Sequence, residues 1–158
     1  MQPRFETIES KKPVGKHLKM SVANSKSSAL WKAFGPKRKE ITNNVTSDAF
    51  SITVYEPSFF KDFNPTNEFD RWAAVEVKDY TKVPDDLATF DLPGGLYAVF
   101  DYIGLSTDNS IYKYIFETWL PASEFQLDDR PHFEVLGDRY KNNDINSEEE
   151  IWVPVKRK

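Results

Sequence analysis

Hydrophobic and polar residues alternate along several short segments of this chain, a pattern that is typical of half-buried β-strands. The last such segment covers residues 149–155. Its aliphatic face consists of Ile151, Val153 and Val155. Its other face is mixed and consists of Glu150, Trp152 and Pro154. Because successive side chains of a strand point to opposite sides, we expect the aliphatic face to meet the core.

The preceding strand, predicted over residues 132–136, carries an unexpected carboxylate. Glu134 stands between Phe133 and Val135 in the sequence and therefore lies on the opposite face from both. It is either a solvated residue at a sheet edge or a half-buried group beside rings such as Trp152. The second arrangement would make Glu134 part of a ligand site.

The same pattern predicts the other elements of the chain. Strands are expected over residues 4–10, 14–21, 49–57, 69–77 and 88–104, the last one interrupted at Pro93-Gly94-Gly95. A first helix is expected to begin at Ser27 or Ser28 and to break or restart at Gly35-Pro36. A second helix, preceded by capping residues at 108–110, is expected to end before Pro121.

Both halves of the chain have the predicted element order strand, helix, strand, strand, which indicates an internal duplication. The halves cover about residues 1–80 and 86–158, with a linker between them. The sequence therefore predicts one α+β domain with antiparallel sheets, in which two β-α-β-β halves are related by a pseudo-twofold axis. Each half would place its helix on one face and turn the other face towards a central cleft, to which Trp72 and Trp152 would contribute.

Composition adds a reason to expect a small-molecule pocket. The 158 residues suit one ordinary globular domain or two small fused halves. Aromatic residues make up 15% of the chain, with four Trp, seven Tyr and twelve Phe, which is more ring surface than a plain core of this size requires. Ring surface is what lines small-molecule pockets in proteins.

Charge and residue types argue against several other functions. The net charge of −4 argues against broad binding to nucleic-acid backbones. Two isolated histidines and no cysteine predict no metal site, and the chain contains no GxxxxGK loop or Gly-x-Ser-x-Gly elbow, so no cofactor is expected. The lack of cysteine, of an apolar leader and of a long apolar run predicts a cytoplasmic protein without a membrane segment.

Several stretches of the chain resemble the GyrI-like small-molecule-binding domain, the effector-binding part of several bacterial transcription regulators. The resemblance covers nearly the whole chain and is carried by LPGGLYAVF, WLPASEFQLDDRPHFE and EEEIWVPV, together with Leu30, Trp31 and Phe34 of the first helix. Regulators of this family carry a helix-turn-helix region ahead of the domain. The effector-like domain fills this chain, so we expect a stand-alone binder without direct nucleic-acid binding.

The resemblance implies a duplicated β-α-β-β fold with a cleft between the halves and a role for Glu134. The corresponding glutamate lies at the bottom of the family's cleft and, in multidrug-binding members, faces lipophilic cations among aromatic side chains. A cation would recover part of the cost of burying the carboxylate, and rings would add cation–π attraction. The rings expected to line this ligand-binding site are Trp72, Tyr97, Trp119, Trp152, Tyr55 and Phe133.

Two of these rings have a further interpretation. Tyr97 matches the tyrosine of the family's glycine-tyrosine strand, and Trp119 has an alternative role as a core residue between helix and sheet.

Three functions stay open at this level. The first is binding of a small amphipathic or cationic molecule, for sensing or sequestration. The second is hydrolysis, because some stand-alone members hydrolyse reactive cyclopropane-containing compounds; Glu134 would then activate water with help from Tyr97. The third is docking on a protein partner such as DNA gyrase through an acidic surface that includes residues 148–150.

Overall fold

The computed structural model describes residues 1–158, which form nine strands and two helical regions. The strands are β1 (Arg4–Ile8), β2 (Pro13–Ser21), β3 (Ala49–Val54), β4 (Glu68–Glu76), β5 (Ala88–Thr89), β6 (Gly95–Ile103), β7 (Phe125–Leu127), β8 (His132–Leu136) and β9 (Glu148–Arg157). The first helix is α1 (Ser27–Arg38). The second helical region consists of α2 (Ser110–Lys113), a π-helical segment (Tyr114–Trp119) and α3 (Leu120–Ala122). The fold is α+β, as the sequence predicts.

The strands pair in the order β1-β6-β9-β8-β3-β4-β2-β5, and β7 pairs with the end of β9. Every pairing is antiparallel. The two halves of the chain join where β3 pairs with β8, with Ser51 opposite Glu134. The first strand of each half lies in the other half, because β1 pairs with β6 and β5 pairs with β2.

The strand order is the same from either end of the sheet when corresponding strands are exchanged. Exchanging β1 with β5, β2 with β6, β3 with β8 and β4 with β9 returns the order in reverse. This is the connectivity that a duplicated unit produces. The spatial pseudo-twofold axis itself stays a prediction.

Both helical regions lie on one side of the sheet, called here the helix-bearing face. It contains Ala73, Ser51, Glu134 and Ile151, which are aligned across β4, β3, β8 and β9. Helix α1 packs on β2 and β4 through its buried Leu30 and Phe34, in a cluster that includes Ala73. The second helical region packs on β6 and β9 through Ile111, Ile115 and Trp119. The central strands β3 and β8 therefore lie between the two helical regions.

The other side of the sheet, called here the opposite face, has a core of its own. Its buried residues include Phe50, Ile52, Trp72, Leu92, Tyr97 and Phe133. Leu92 comes from the segment before β6, which bridges to Lys11 from the segment before β2. This packing corrects the expectation that the face without helices forms the central cleft, because large side chains fill most of it.

Two predicted helix boundaries were wrong. Helix α1 continues through Gly35 and Pro36 to Arg38. Pro36 is exposed in the last turn of the helix. Because proline has no N–H group, the carbonyl of Lys32 loses its partner within the helix, but Lys32 is exposed and its carbonyl can bond to water. The second helical region continues through Pro121 to Ala122, because proline is tolerated in the first turn of the short α3 segment. Neither helical region combines the length and apolar character needed to cross a membrane.

Candidate ligand-binding site between the helical regions

The central strands present polar side chains on the helix-bearing face, between the two helical regions. Ser51 and Thr53 of β3 lie opposite Glu134 and His132 of β8. Arg71 of β4 lies opposite Thr53, and its Nε donates a hydrogen bond to the Thr53 hydroxyl at 3.2 Å. Helices cover the flanking strands, so this polar strip is the part of the face that is free to form a site.

Glu134 is held by a tyrosine from the second helical region. The hydroxyl of Tyr112, in α2, donates a hydrogen bond to Oε1 of Glu134. Burial raises the pKa of Glu134, although the Tyr112 hydroxyl and the charge of Arg71 act in the opposite direction. Burial and the neighbouring carboxylate raise the pKa of Tyr112 well above its usual value, so Tyr112 stays a hydrogen-bond donor.

A second carboxyl group, that of Glu149, lies near Glu134 because Glu149 shares its face of β9 with Ile151, which pairs with Glu134. Glu134 and Glu149 are called here the carboxyl pair. Glu149 is only 8% exposed, and its Oε2 atom has no hydrogen-bond partner in the protein. Burial and then the adjacent Glu134 raise the pKa of Glu149 to about 8. At neutral pH the pair therefore holds a proton, because two neighbouring carboxylates in a buried position do not both ionise.

Aromatic rings form one wall of the site. Tyr55, which follows β3, lies with its ring centroid 4.9 Å from that of His132. Phe60, from the loop between β3 and β4, stacks on His132 at 5.5 Å and contacts Phe116 of the π-helical segment at 5.3 Å. Phe60 and Phe116 thus meet over the polar strip and connect the two halves. A π-helical segment often occurs at a functional site, and here it supplies Phe116.

His132 is a neutral part of this wall. Burial, followed by the positive charge of Arg130, lowers the pKa of His132 to about 3. The imidazole therefore carries no charge at neutral pH and offers a flat, uncharged ring beside the carboxyl pair.

The structure separates the predicted site residues into three groups. Glu134 and Tyr55 lie together on the helix-bearing face. Trp72, Tyr97, Phe133 and Trp152 lie on the opposite face and belong to or pack against its core. Trp119 belongs to the π-helical segment and is buried between that segment and the sheet, with its ring centroid 5.1 Å from that of Phe100.

The register of β8 and β9 explains this separation. Phe133 is directly opposite Trp152, and Glu134 is directly opposite Ile151. Residues opposite each other in an antiparallel pair point to the same side, so Trp152 and Glu134 point to different sides. For the same reason Tyr97 does not accompany Glu134; its hydroxyl donates to the carbonyl oxygens of Pro93 and Pro131.

A separate cavity of about 180 Å³ opens on the opposite face. Trp152 and Phe133 line it together with Glu150, whose Oε1 accepts a hydrogen bond from the Trp152 indole at 3.1 Å. Glu150 also forms a salt bridge with Arg4, with an N···O distance of 2.6 Å. Glu76, another residue of the cavity, forms a salt bridge with Lys11 at 3.3 Å. Two of the cavity's carboxylates are thus already paired with cations of the protein, unlike the carboxyl pair.

Sequence reasoning missed Tyr112, Glu149, Phe60 and Phe116. Glu149 stands in the acidic run 148–150, which was interpreted as a solvated or partner-binding surface. Strand alternation contained the missed signal, because it places Glu149 on the same face as Ile151 and Val153. No local pattern indicates that Tyr112 reaches β8 or that Phe60 reaches the second helical region, since these contacts join distant parts of the chain.

Comparison with known proteins agrees with this architecture. An integron cassette protein from the mobile metagenome of Vibrio cholerae has a TM-score of 0.67 and 18% identity, over 98% of this chain and 96% of that one. SAV2435 bound to tetraphenylphosphonium has a TM-score of 0.63 and 17% identity, over 99% and 94%. The EcmrR C-terminal domain has a TM-score of 0.73 and 15% identity, over 99% and 98%. At these identities the likeness shows the fold.

Sequence comparison is informative at the level of the family. A search of curated proteins finds no significant match. A family model described as integron-associated effector binding protein matches residues 4–155, which is almost the entire chain. This confirms the resemblance to GyrI-like domains that the sequence motifs indicate, and the chain belongs to the family of integron-associated effector binding proteins.

Proposed function

We propose that the protein binds a small lipophilic cation between its two helical regions, with Glu134 as the anionic anchor. The observation that carries this proposal is a carboxyl group in a poorly solvated position beside aromatic rings, at the junction of β3 and β8. An ionised carboxylate in such a position lacks hydration, and a cation restores part of the lost stabilisation. The rings of Tyr55, Phe60 and Phe116 offer faces for cation–π attraction of about 0.5 to 2 kcal/mol each.

Two comparisons support the proposal. The chain belongs to an effector-binding family. A structural neighbour, SAV2435, was solved with tetraphenylphosphonium, which is itself a lipophilic cation. The proposal therefore concerns a chemical class of ligand, the lipophilic cations.

Entry of such a ligand requires movement of the aromatic wall. Phe60 and Phe116 are in contact with each other and with His132, so they occupy the space above the polar strip. Phe60 belongs to the loop between β3 and β4, which carries the exposed Phe63 and is the more easily displaced partner. We propose that this loop opens to admit the ligand and then supplies Phe60 to its surface.

The test is calorimetric titration with tetraphenylphosphonium, with triphenylphosphine oxide as a neutral ligand of related shape. Two unit charges 5 Å apart at an effective dielectric constant of 20 attract by about 3 kcal/mol, or roughly 100-fold in affinity. We expect Glu134→Gln to lower the affinity for the phosphonium by about 10- to 100-fold. The loss can be smaller than about 100-fold because this variant still carries the carboxyl group of Glu149. The neutral ligand should change by less than about threefold, because no Coulomb attraction is lost.

The matched control is Glu150→Gln, which changes the carboxylate of the cavity on the opposite face. It should leave phosphonium affinity nearly unchanged. If Glu150→Gln weakens the phosphonium and Glu134→Gln does not, the ligand binds on the opposite face. Equal losses for the charged and neutral ligands in Glu134→Gln would refute the role of Glu134 as an anionic anchor.

The contact between Tyr112 and Glu134 favours hydrolysis as a second candidate function. A carboxyl group whose pKa is raised suits a general base, and the tyrosine hydroxyl beside it suits orienting that carboxyl group through a hydrogen bond. In this arrangement Tyr112 takes the place that the sequence assigned to Tyr97. Mass spectrometry of ligands after incubation separates the two functions, because a hydrolase returns water adducts and a binder returns intact compounds.

A further inference from the structure

One oxygen atom of the carboxyl pair is buried without a hydrogen-bond partner in the protein. Glu149 is 8% exposed, yet its Oε2 atom has no hydrogen-bond partner among the protein groups. Buried polar atoms are normally paired, so an unpaired carboxyl oxygen at a candidate site calls for an explanation. Glu149 lies on the same face of β9 as Ile151, which pairs with Glu134, so the unpaired atom is in the same electrostatic environment as the proposed anchor.

The surroundings of the pair do not neutralise two negative charges. The titratable and charged groups facing it are Tyr112 from α2, Tyr102 from β6, Arg71 from β4, Tyr55 after β3 and His132 on β8. Three of these are tyrosines whose pKa is raised, mainly by burial, so they stay uncharged. Burial also keeps the His132 imidazole neutral. Arg71 is the one cation of this set.

We propose that Glu149 is a specificity-determining residue, which gives up its proton when a ligand cation binds at Glu134. This inference rests on the proposed function. In the free protein the pair consists of one carboxylic acid and one carboxylate, with a net charge of −1. In the complex both groups are carboxylates around one positive charge, and the proton leaves to the solvent. The net charge of the site is therefore −1 before and after binding.

This release of a proton gives the site a stronger preference for cations over neutral ligands than a single carboxylate would give. A neutral ligand does not stabilise the second negative charge, so Glu149 keeps its proton and stays a carboxylic acid. A cation stabilises both carboxylates and gains attraction from each of them. The unpaired Oε2 atom then becomes part of the anionic surface that faces the ligand.

Proton exchange makes the affinity for a permanent cation depend on pH. Because Glu149 has a pKa of about 8 in the free protein, protons compete with the cation below that value. The association constant should rise about eightfold from pH 6.5 to pH 7.5 and become constant above about pH 9. A neutral ligand should show no such rise.

The experiment is titration calorimetry of the full chain with tetraphenylphosphonium at pH 7, repeated in buffers with different enthalpies of ionisation. The dependence of the observed enthalpy on the buffer gives the number of protons released. We expect about one proton per ligand for the unchanged protein and none for triphenylphosphine oxide. Glu149→Gln should release close to none, whereas Glu148→Gln, a more exposed neighbour on β9, should behave like the unchanged protein.

The outcomes separate this inference from the proposed function. If the phosphonium binds with no proton release by the unchanged protein, the inference is overturned and the proposed function stands. If Glu149→Gln still releases a proton, another group is the source and the role of Glu149 is overturned. If the phosphonium does not bind at all, the proposed function fails and this inference fails with it.

Discussion

Replacing Glu149 by glutamine is expected to stabilise the protein at alkaline pH, although the change removes a native side chain. In the folded protein the pKa of Glu149 is about 8, and its usual value is 4.5. The folded state therefore binds more protons than the unfolded state between these values. Stability that is present below about pH 4.5 is lost as the pH rises through about 8. Glutamine has no proton to lose and avoids this cost.

The magnitude follows from the same two values. The interval from 4.5 to 8, at about 1.4 kcal/mol for each pH unit, corresponds to a total loss of about 5 kcal/mol. About 3 kcal/mol of that loss falls between pH 6 and pH 9. For a chain of this length, a change of this size moves the melting temperature by roughly 6 to 12 °C.

The assay is urea unfolding followed by far-ultraviolet circular dichroism at pH 6, 7, 8 and 9. The difference in unfolding free energy between Glu149→Gln and the unchanged protein should grow by about 3 kcal/mol across this range. Glu148→Gln serves as the control, because its side chain is 39% exposed and pairs only with the exposed Arg139 at the surface. Parallel curves for Glu149→Gln and the unchanged protein would show that Glu149 does not hold its proton, and the reasoning would be wrong.

Three further predictions concern the surroundings of the carboxyl pair. Because the pKa of His132 is lowered to about 3, the His132 imidazole alone contributes a loss of about 2 to 3 kcal/mol of stability from pH 6 to pH 4. In urea unfolding, the stability of His132→Phe relative to the unchanged protein should therefore rise by that amount over this interval. Tyr112→Phe removes a hydrogen bond to Glu134 and should cost about 1 to 3 kcal/mol in the same assay at pH 7. Trp119→Phe should lower the unfolding free energy by about 1 to 3 kcal/mol, yet leave phosphonium affinity unchanged in calorimetry, because Trp119 packs between the π-helical segment and the sheet.

The sequence was sufficient for most of the strands because their alternation is local, but it did not predict the three-residue strand β7. The hairpin of β3 and β4, the last two strands and the α+β class follow from patterns within about ten residues. The resemblance to GyrI-like domains added the family, which the match over residues 4–155 confirms. The helix limits at Pro36 and Pro121 were less accurate, because the cost of a proline depends on solvent exposure and on its position within the helix.

The site was harder to predict because it depends on strand register. Alternation within β8 correctly separates Glu134 from Phe133, and alternation within β9 separates Ile151 from Trp152. Which of these residues face the same side is set by the pairing of Phe133 with Trp152, which no local pattern contains. A pairing shifted by one residue would have placed Glu134 beside Trp152, as the sequence analysis expected.

The exchange of β1 and β5 between the halves has a consequence for how the chain folds. Residue Arg4 pairs with Val99, so the edge of one half is supplied by a segment that lies far away in the sequence. Closing such a long loop is slow, and neither half can complete its sheet before the other half is present. The two halves therefore act as a single cooperative body: severing the connection around residues 78–86 would yield two fragments that must recombine to regain the native sheet.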